Sequence, residues 1–230
     1  MKKIGLVFFL IFCFCIGLGY YFNKKAIKKK TENQKSQMLP DINPVEIDPS
    51  LVDSSLQNLG LGHKIQDFKF TNQYGETIGL ENVKGKVFIA EFFFTTCGSI
   101  CPIMNQKMQK VQKKFLNEKK IQILSFTVNP EVDTPEILLE YAKKHNAKKG
   151  LWHFLTGDKK QLYKTARRSF FLLKAAEVKN QGDLGGDFIH TNNFVLIDKN
   201  LGIKGYYDGT NDKDVSKLIN DAEILLKGSE

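Results

Sequence analysis

The stretch KVFIAEFFFTTCGSICPIMNQKM, Lys86 to Met108, decides the fold. Its first nine residues, Lys86 to Phe94, form a mostly apolar, aromatic-rich run, the pattern of a strand covered on both faces. After Pro102, the residues Ile103, Met104, Met108, Val111 and Phe115 fall at helical spacings. Cys97 and Cys101 therefore occupy a strand-to-helix turn and the first helical turn. Spacing i, i+4 turns both toward one side. Unpaired amides and the positive dipole end of a helix favour a thiolate, so both thiols are expected to lose their protons easily. Pro102 removes a backbone donor beside the second sulfur and fixes the helix entry. Two soft sulfurs side by side suit Cu(I), and zinc less well unless two more ligands join them. A plain disulfide closing a short loop and a redox pair stay open as alternatives.

Around this stretch, DFKFTNQYGETIGL alternates apolar and polar residues about Tyr74-Gly75, a hairpin signal. IQILSFTV, Ile121 to Val128, is a second buried-strand pattern. Asp133-Thr134-Pro135-Glu136 then opens a helix that ends near Lys144, with Asp or Thr as its cap and Pro in its first turn. A strand WHFLT, a helix from about Lys159 to Ser169, a strand at Phe194–Asp198, a turn at Asn200–Gly202, a strand IKGYYDG and a last helix, Asp212–Lys227, follow. The order is hairpin, β, α, β, α, β, α, β, β, α, a central sheet with helices on its faces. Ala175 to Asp187 is rich in Gly and charge, reads as a mobile loop, and leads to His190. Met104 and Met108 share a helix face with Val111 and Phe115 and are assigned to the core; His63, His145 and His153 lack a motif and read as surface or core residues.

The 34 basic and 25 acidic residues give a formal net charge of +9. Seven Lys and no acid fall in residues 1 to 30, so the remainder is nearly neutral and a nucleic-acid-binding stripe is not supported. Those lysines flank Ile4 to Phe22, an uncharged run that would make about 28 Å of helix, near a bilayer's hydrocarbon thickness. It reads as an uncleaved anchor, although Gly17-Leu18-Gly19 also matches a small-x-small cleavage site. Five Lys just beyond the run would keep the downstream chain inside by charge alone, whereas the short N-terminal tail is export geometry, and export is the expectation. Cys13 and Cys15 lie within the run as small apolar residues. The expected domains are a transmembrane anchor over 1–23, a polar, Pro-containing tether over 24–60, and a folded domain over 61–230.

FFFTTCGSICPIM, SFTVNPEVDTPEIL and HTNNFVLIDKNLG resemble, in order and spacing, the Sco/SenC family of membrane-anchored copper chaperones, over about residues 63 to 227. The resemblance implies a thioredoxin-like α/β fold, an extracytoplasmic domain on the periplasmic face of the inner membrane or its equivalent, and Cys97, Cys101 and His190 as ligands for copper as Cu(I) or Cu(II). It implies delivery to the dinuclear copper centre of cytochrome c oxidase subunit II or another copper-accepting protein. Two departures stand out: Ile189 fills the place before the histidine where many members have Asp, and Asn129 replaces a frequent Asp before Pro130. The rival reading is a thiol-disulfide oxidoreductase acting on exported targets through Cys97 and Cys101. Three residues between the cysteines, where thioredoxins have two, favour holding a metal. A sensor of copper or oxidant would use the same residues.

Overall fold

A hairpin joins strand β1 (Lys69–Asn72) to β2 (Thr77–Gly79), and one side chain builds its turn. Asn72 Oδ1 accepts from the amides of Tyr74 and Glu76, at 2.8 and 2.9 Å, while Gly75 supplies the positive φ of 74° that the reversal requires. The hairpin belongs to a computed structural model that describes Gly19, Lys24 and residues 39–47, 62–172 and 191–228. The chain divides into two units, Met1–Met38 and Leu39–Glu230, and the second holds every described strand.

After β2 come a short helix α1 (Leu80–Val83), β3 (Val87–Phe93), α2 (Cys101–Lys114), β4 (Ile121–Thr127), α3 (Pro135–Lys144), β5 (Trp152–Thr156), α4 (Lys159–Arg168), β6 (Asn193–Ile197), β7 (Ile203–Asp208) and α5 (Asp212–Lys227). Among the described residues, α1 and a 3-10 turn at Pro44–Glu46 have no counterpart in the order expected from sequence. The seven strands form one mixed sheet in the order β2-β1-β5-β4-β3-β6-β7. β3, β4 and β5 run parallel, and the outer strands pair antiparallel.

β3 and β4 are buried along their whole length because alternate side chains enter two packed layers, one on each face of the sheet. Phe88, Ala90 and Phe92 face a cluster with Phe68, Phe70, Phe126, Leu162, Ala166 and Phe170, under α4. Phe126 lies at its centre, with ring centroids of Phe92, Phe170, Phe68 and Phe70 at 5.2, 5.5, 5.6 and 5.8 Å. Val87, Ile89 and Phe93 face the other side, packed with Met104, Met108, Leu138, Trp152, Val215 and Leu218 from α2, α3, β5 and α5. Each fully buried side chain of this size contributes about 1.5–3 kcal/mol. The α2 layer covers β3, so the turn between them opens at the C-terminal ends of the parallel strands.

Within the stretch read as a tether, residues 39–47 lie against the body: the Ile42 amide donates to Ile203 O at 2.8 Å, and Asn43 Oδ1 accepts from the Gly62 amide at 2.9 Å. No helix among the described residues is long and apolar enough to cross a membrane. The expected anchor, apart from Gly19, and the expected loop Ala175–Asp187 lie outside the described residues.

Candidate metal centre

Cys97 sits in the turn after β3, its amide donating to Phe94 O at 3.2 Å, and Cys101 is the first residue of α2. Both are free thiols, buried and in hydrogen-bond contact with each other. No side chain caps the helix start, where Ile100 is the residue before the first turn. Its amides are thus available to a sulfur.

The two thiols differ in acidity. Burial alone would raise Cys97, but hydrogen bonds from the Cys101 thiol, the Ser99 and Cys101 amides and the Ser99 hydroxyl outweigh it and hold the thiol below its ordinary value. Cys101 departs from expectation: burial, then its bond to Cys97, pushes it up to about 12. The expectation that both would deprotonate easily holds for Cys97 and is corrected for Cys101. Both sulfurs lie in the same apolar layer, and the difference is in the balance: the Ser99 and Cys101 amides and the Ser99 hydroxyl bond to Cys97, whereas burial outweighs the donors that reach Cys101.

Behind the pair lies a polar cluster that an apolar reading of β3 does not reveal. Glu91 is buried at 1% exposure, on the sheet face that carries Ile89 and Phe93. Its Oε1 accepts from Ser125 Oγ at 2.5 Å, and that oxygen accepts from Trp152 Nε1 at 2.8 Å. Burial pushes Glu91 up to about 7, and its charge raises both Cys101 and Tyr141. Tyr141 bonds Asn105 Nδ2 at 2.5 Å between α3 and α2.

At the start of α3, two residues compete on paper for one cap, and the structure divides the work. Thr134 Oγ1 accepts from the Ile137 amide at 3.4 Å. Asp133, fully buried, turns the other way and accepts from Thr95 and Thr127. Its sequence signal was an aspartate made redundant as a cap.

Met104 and Met108 are buried at 1% and 0% exposure in the α2 layer, as the helical spacing implies. His63 and His153 are core residues, held by Ser169 O at 3.0 Å and Asn72 Nδ2 at 3.2 Å; burial lowers both below the usual imidazole value. His145 is half-buried at the end of α3. Among the described residues no group of three or more His, Cys, Asp or Glu side chains stands together to hold a metal. His190 lies outside the described residues; its neighbour Thr191 is buried at 9% exposure.

Two adjacent soft donors at an open helix start fit Cu(I), which accepts low coordination by thiolates, and supply half of what structural zinc needs. A mixed sheet with helices on both faces and a cysteine pair between strand and helix defines a thioredoxin-like protein. More narrowly, the SCO1/SenC sequence pattern matches residues 57–226, and the chain belongs to that family. It is 33% identical over 165 residues to the SCO1 protein homolog of Bacillus subtilis, covering 71% of this chain and 83% of that one. A solved Sco structure, described as having a disulfide switch and as a member of the Sco family of cytochrome c oxidase assembly proteins, is 33% identical with a TM-score of 0.59, covering 74% and 95%. The copper-bound ScoI of Bradyrhizobium japonicum shares the fold at a TM-score of 0.56 and 20% identity, covering 71% and 99%.

Proposed function

We propose that this chain is a membrane-tethered copper chaperone in which Cys97 and Cys101 as thiolates and His190 as neutral imidazole hold copper. The metal passes to a copper-accepting protein, the dinuclear copper centre of cytochrome c oxidase subunit II. The carrying observation is the pair of free thiols in mutual contact at an uncapped helix start. Two such sulfurs accept Cu(I), and an imidazole lets the site tolerate Cu(II) as well. Family membership supports the cargo and the recipient.

Register supports the third ligand. β6 pairs antiparallel with β3 through Phe88↔Ile197, Ile89↔Leu196 and Ala90↔Val195. In that antiparallel pairing the start of β6 lies toward the end of β3, where the cysteine turn begins. His190 is one peptide, about 3.8 Å, before Thr191. A ligand from a separate segment also offers a release route: losing the imidazole weakens the site while the recipient's ligands enter. The apolar run Ile4–Phe22 would hold the domain at the extracytoplasmic face of a membrane.

The test is an anaerobic Cu(I) titration of the reduced chain and of the His190→Ala and Cys101→Ser variants. The expected result is one copper per chain, retained more weakly in both variants. A second reading, thiol-disulfide exchange, is favoured by the unequal acidities of the two thiols, which suit an attacking and a resolving partner. Normal copper binding by His190→Ala, together with disulfide reductase activity that needs only the cysteines, would replace the chaperone reading with this one.

A further inference from the structure

We propose that Asp133 is a positioning residue for the dithiol: its buried carboxylate fixes the loop carrying Cys97 relative to Cys101 and so sets how tightly the pair holds a soft metal ion. The inference rests on the copper reading above. The two sulfurs are held in different ways. Cys101 rides on α2, which is locked to the sheet through Met104, Met108 and Val111. Cys97 lies outside the helix, in a turn closed by its own amide on Phe94 O.

Two residues ahead of Cys97, Thr95 turns both of its donors onto Asp133. Its amide is 3.3 Å from each carboxylate oxygen, and its hydroxyl donates to Oδ1. On the far side, Oδ2 accepts from the hydroxyl of Thr127, the last residue of β4. Thr127 Oγ1 in turn accepts from the Asn129 amide at 2.9 Å, and the Asp133 amide donates to Asn129 O at 2.9 Å. The carboxylate is thus fastened to the end of β4 and reaches across to the cysteine loop. Asp133 has no exposed surface, and a carboxyl removed from water is retained only with such donors. Starting α3 does not require it, because Thr134 serves as the cap. Taking the acceptor away leaves the Thr95 amide without this partner and frees the turn to shift. Cys97 then moves against a Cys101 that stays where α2 holds it.

The experiment compares Asp133→Asn, Thr95→Val and Thr134→Ala with the unaltered full chain in detergent. Two readouts are taken: anaerobic Cu(I) affinity against a chromophoric Cu(I) chelator, and the dithiol-disulfide equilibrium of Cys97 and Cys101 in glutathione buffers. Melting temperature is recorded alongside. Asp133→Asn and Thr95→Val are expected to lose about tenfold or more in Cu(I) affinity and to shift the pair toward the dithiol, since a disulfide also needs both sulfurs in register. Thr134→Ala removes the cap of α3 beside Asp133 without touching its carboxylate; it is expected to lower the melting temperature and leave both readouts within about twofold. Retention of both values by folded Asp133→Asn or by Thr95→Val overturns the proposal. Equal losses in Thr134→Ala and Thr95→Val also overturn it, because Asp133 would then act through general stability. If Asp133→Asn does not fold, the two threonine variants decide. If the unaltered chain takes up no Cu(I), the copper reading fails by itself, and the glutathione equilibrium still tests Asp133.

Discussion

Glu91 is the residue whose placement most needs a physical reason. It stands in the central strand with Ser125 as partner to one oxygen, and its Oε2 is buried without a hydrogen-bond partner among the described residues. Charge there is unfavourable, so the carboxyl holds its proton up to about pH 7, against 4.5 for an ordinary glutamate. Between these values the folded chain binds a proton that the unfolded chain has released. The contribution of Glu91 to stability therefore falls as pH rises through this window, by about 3 kcal/mol in all, and is level on either side. Glu91→Gln keeps the shape and cannot titrate. Its stability should match or trail the unaltered chain near pH 4.5 and gain on it steadily up to about pH 7, as read from urea midpoints at a series of pH values. Parallel profiles for the two proteins would show that Glu91 is ionised throughout or reaches water.

At the scale of elements, the helix α2 tests whether its methionines are packing or ligands. Both point into the apolar layer, and Met108 touches the sheet with no exposed surface. Met108→Ala should lose about 2–5 kcal/mol through the cavity it leaves, and Met108→Leu under about 1.5 kcal/mol. Cu(I) stoichiometry should be unchanged in both, measured on folded protein by the same titration; a lost equivalent would make Met108 a ligand. This helix and β3 were legible in sequence because their signals are local: a run buried on both faces, then apolar residues every third or fourth position. The hairpin was legible through Tyr74-Gly75. Glu91 and Asp133 were not, since their partners lie 34 and 38 residues away and a lone acid in an apolar or capping context looks incidental. The four-residue α1 is too short to show a period. Of the site, Cys97 and Cys101 could be read with their correct place on the turn, whereas the unequal acidity of the thiols depends on which donors reach each sulfur, which spacing does not encode.

For the body as a whole, the N-terminal stretch is held at the end of the sheet opposite the cysteines. Ile203 pairs with Ile197, which pairs with Phe88 near the start of β3, while Cys97 follows the strand's other end. Here Lys204, 7% exposed in its side chain, gathers three oxygens: Asp41 Oδ1 at 2.7 Å, Leu39 O at 3.0 Å and Asp198 Oδ2 at 3.4 Å. Gly202 leaves the room, because a Cβ there would run into the Asp41 carboxylate. Removing this buried cation leaves Asp198 without an ion pair among the described residues and Asp41 with only Lys64, 3.7 Å away; breaking a fully buried pair costs about 3–5 kcal/mol, and the partly exposed Asp41 sets the loss here below that. Lys204→Met should therefore release residues 39–47 from β7 before it disturbs the rest. Hydrogen exchange should show the Ile42 amide losing protection while the amides of β3 and β4 keep theirs, and Cu(I) affinity should stay at the unaltered value because the dithiol lies at the far end of the sheet. Adding Asp198→Asn to the same chain removes the buried acid left without an ion pair and should restore part of the lost stability. Unchanged exchange at Ile42 would mean that its bond to Ile203 and the Asn43–Gly62 contact hold the segment without the lysine.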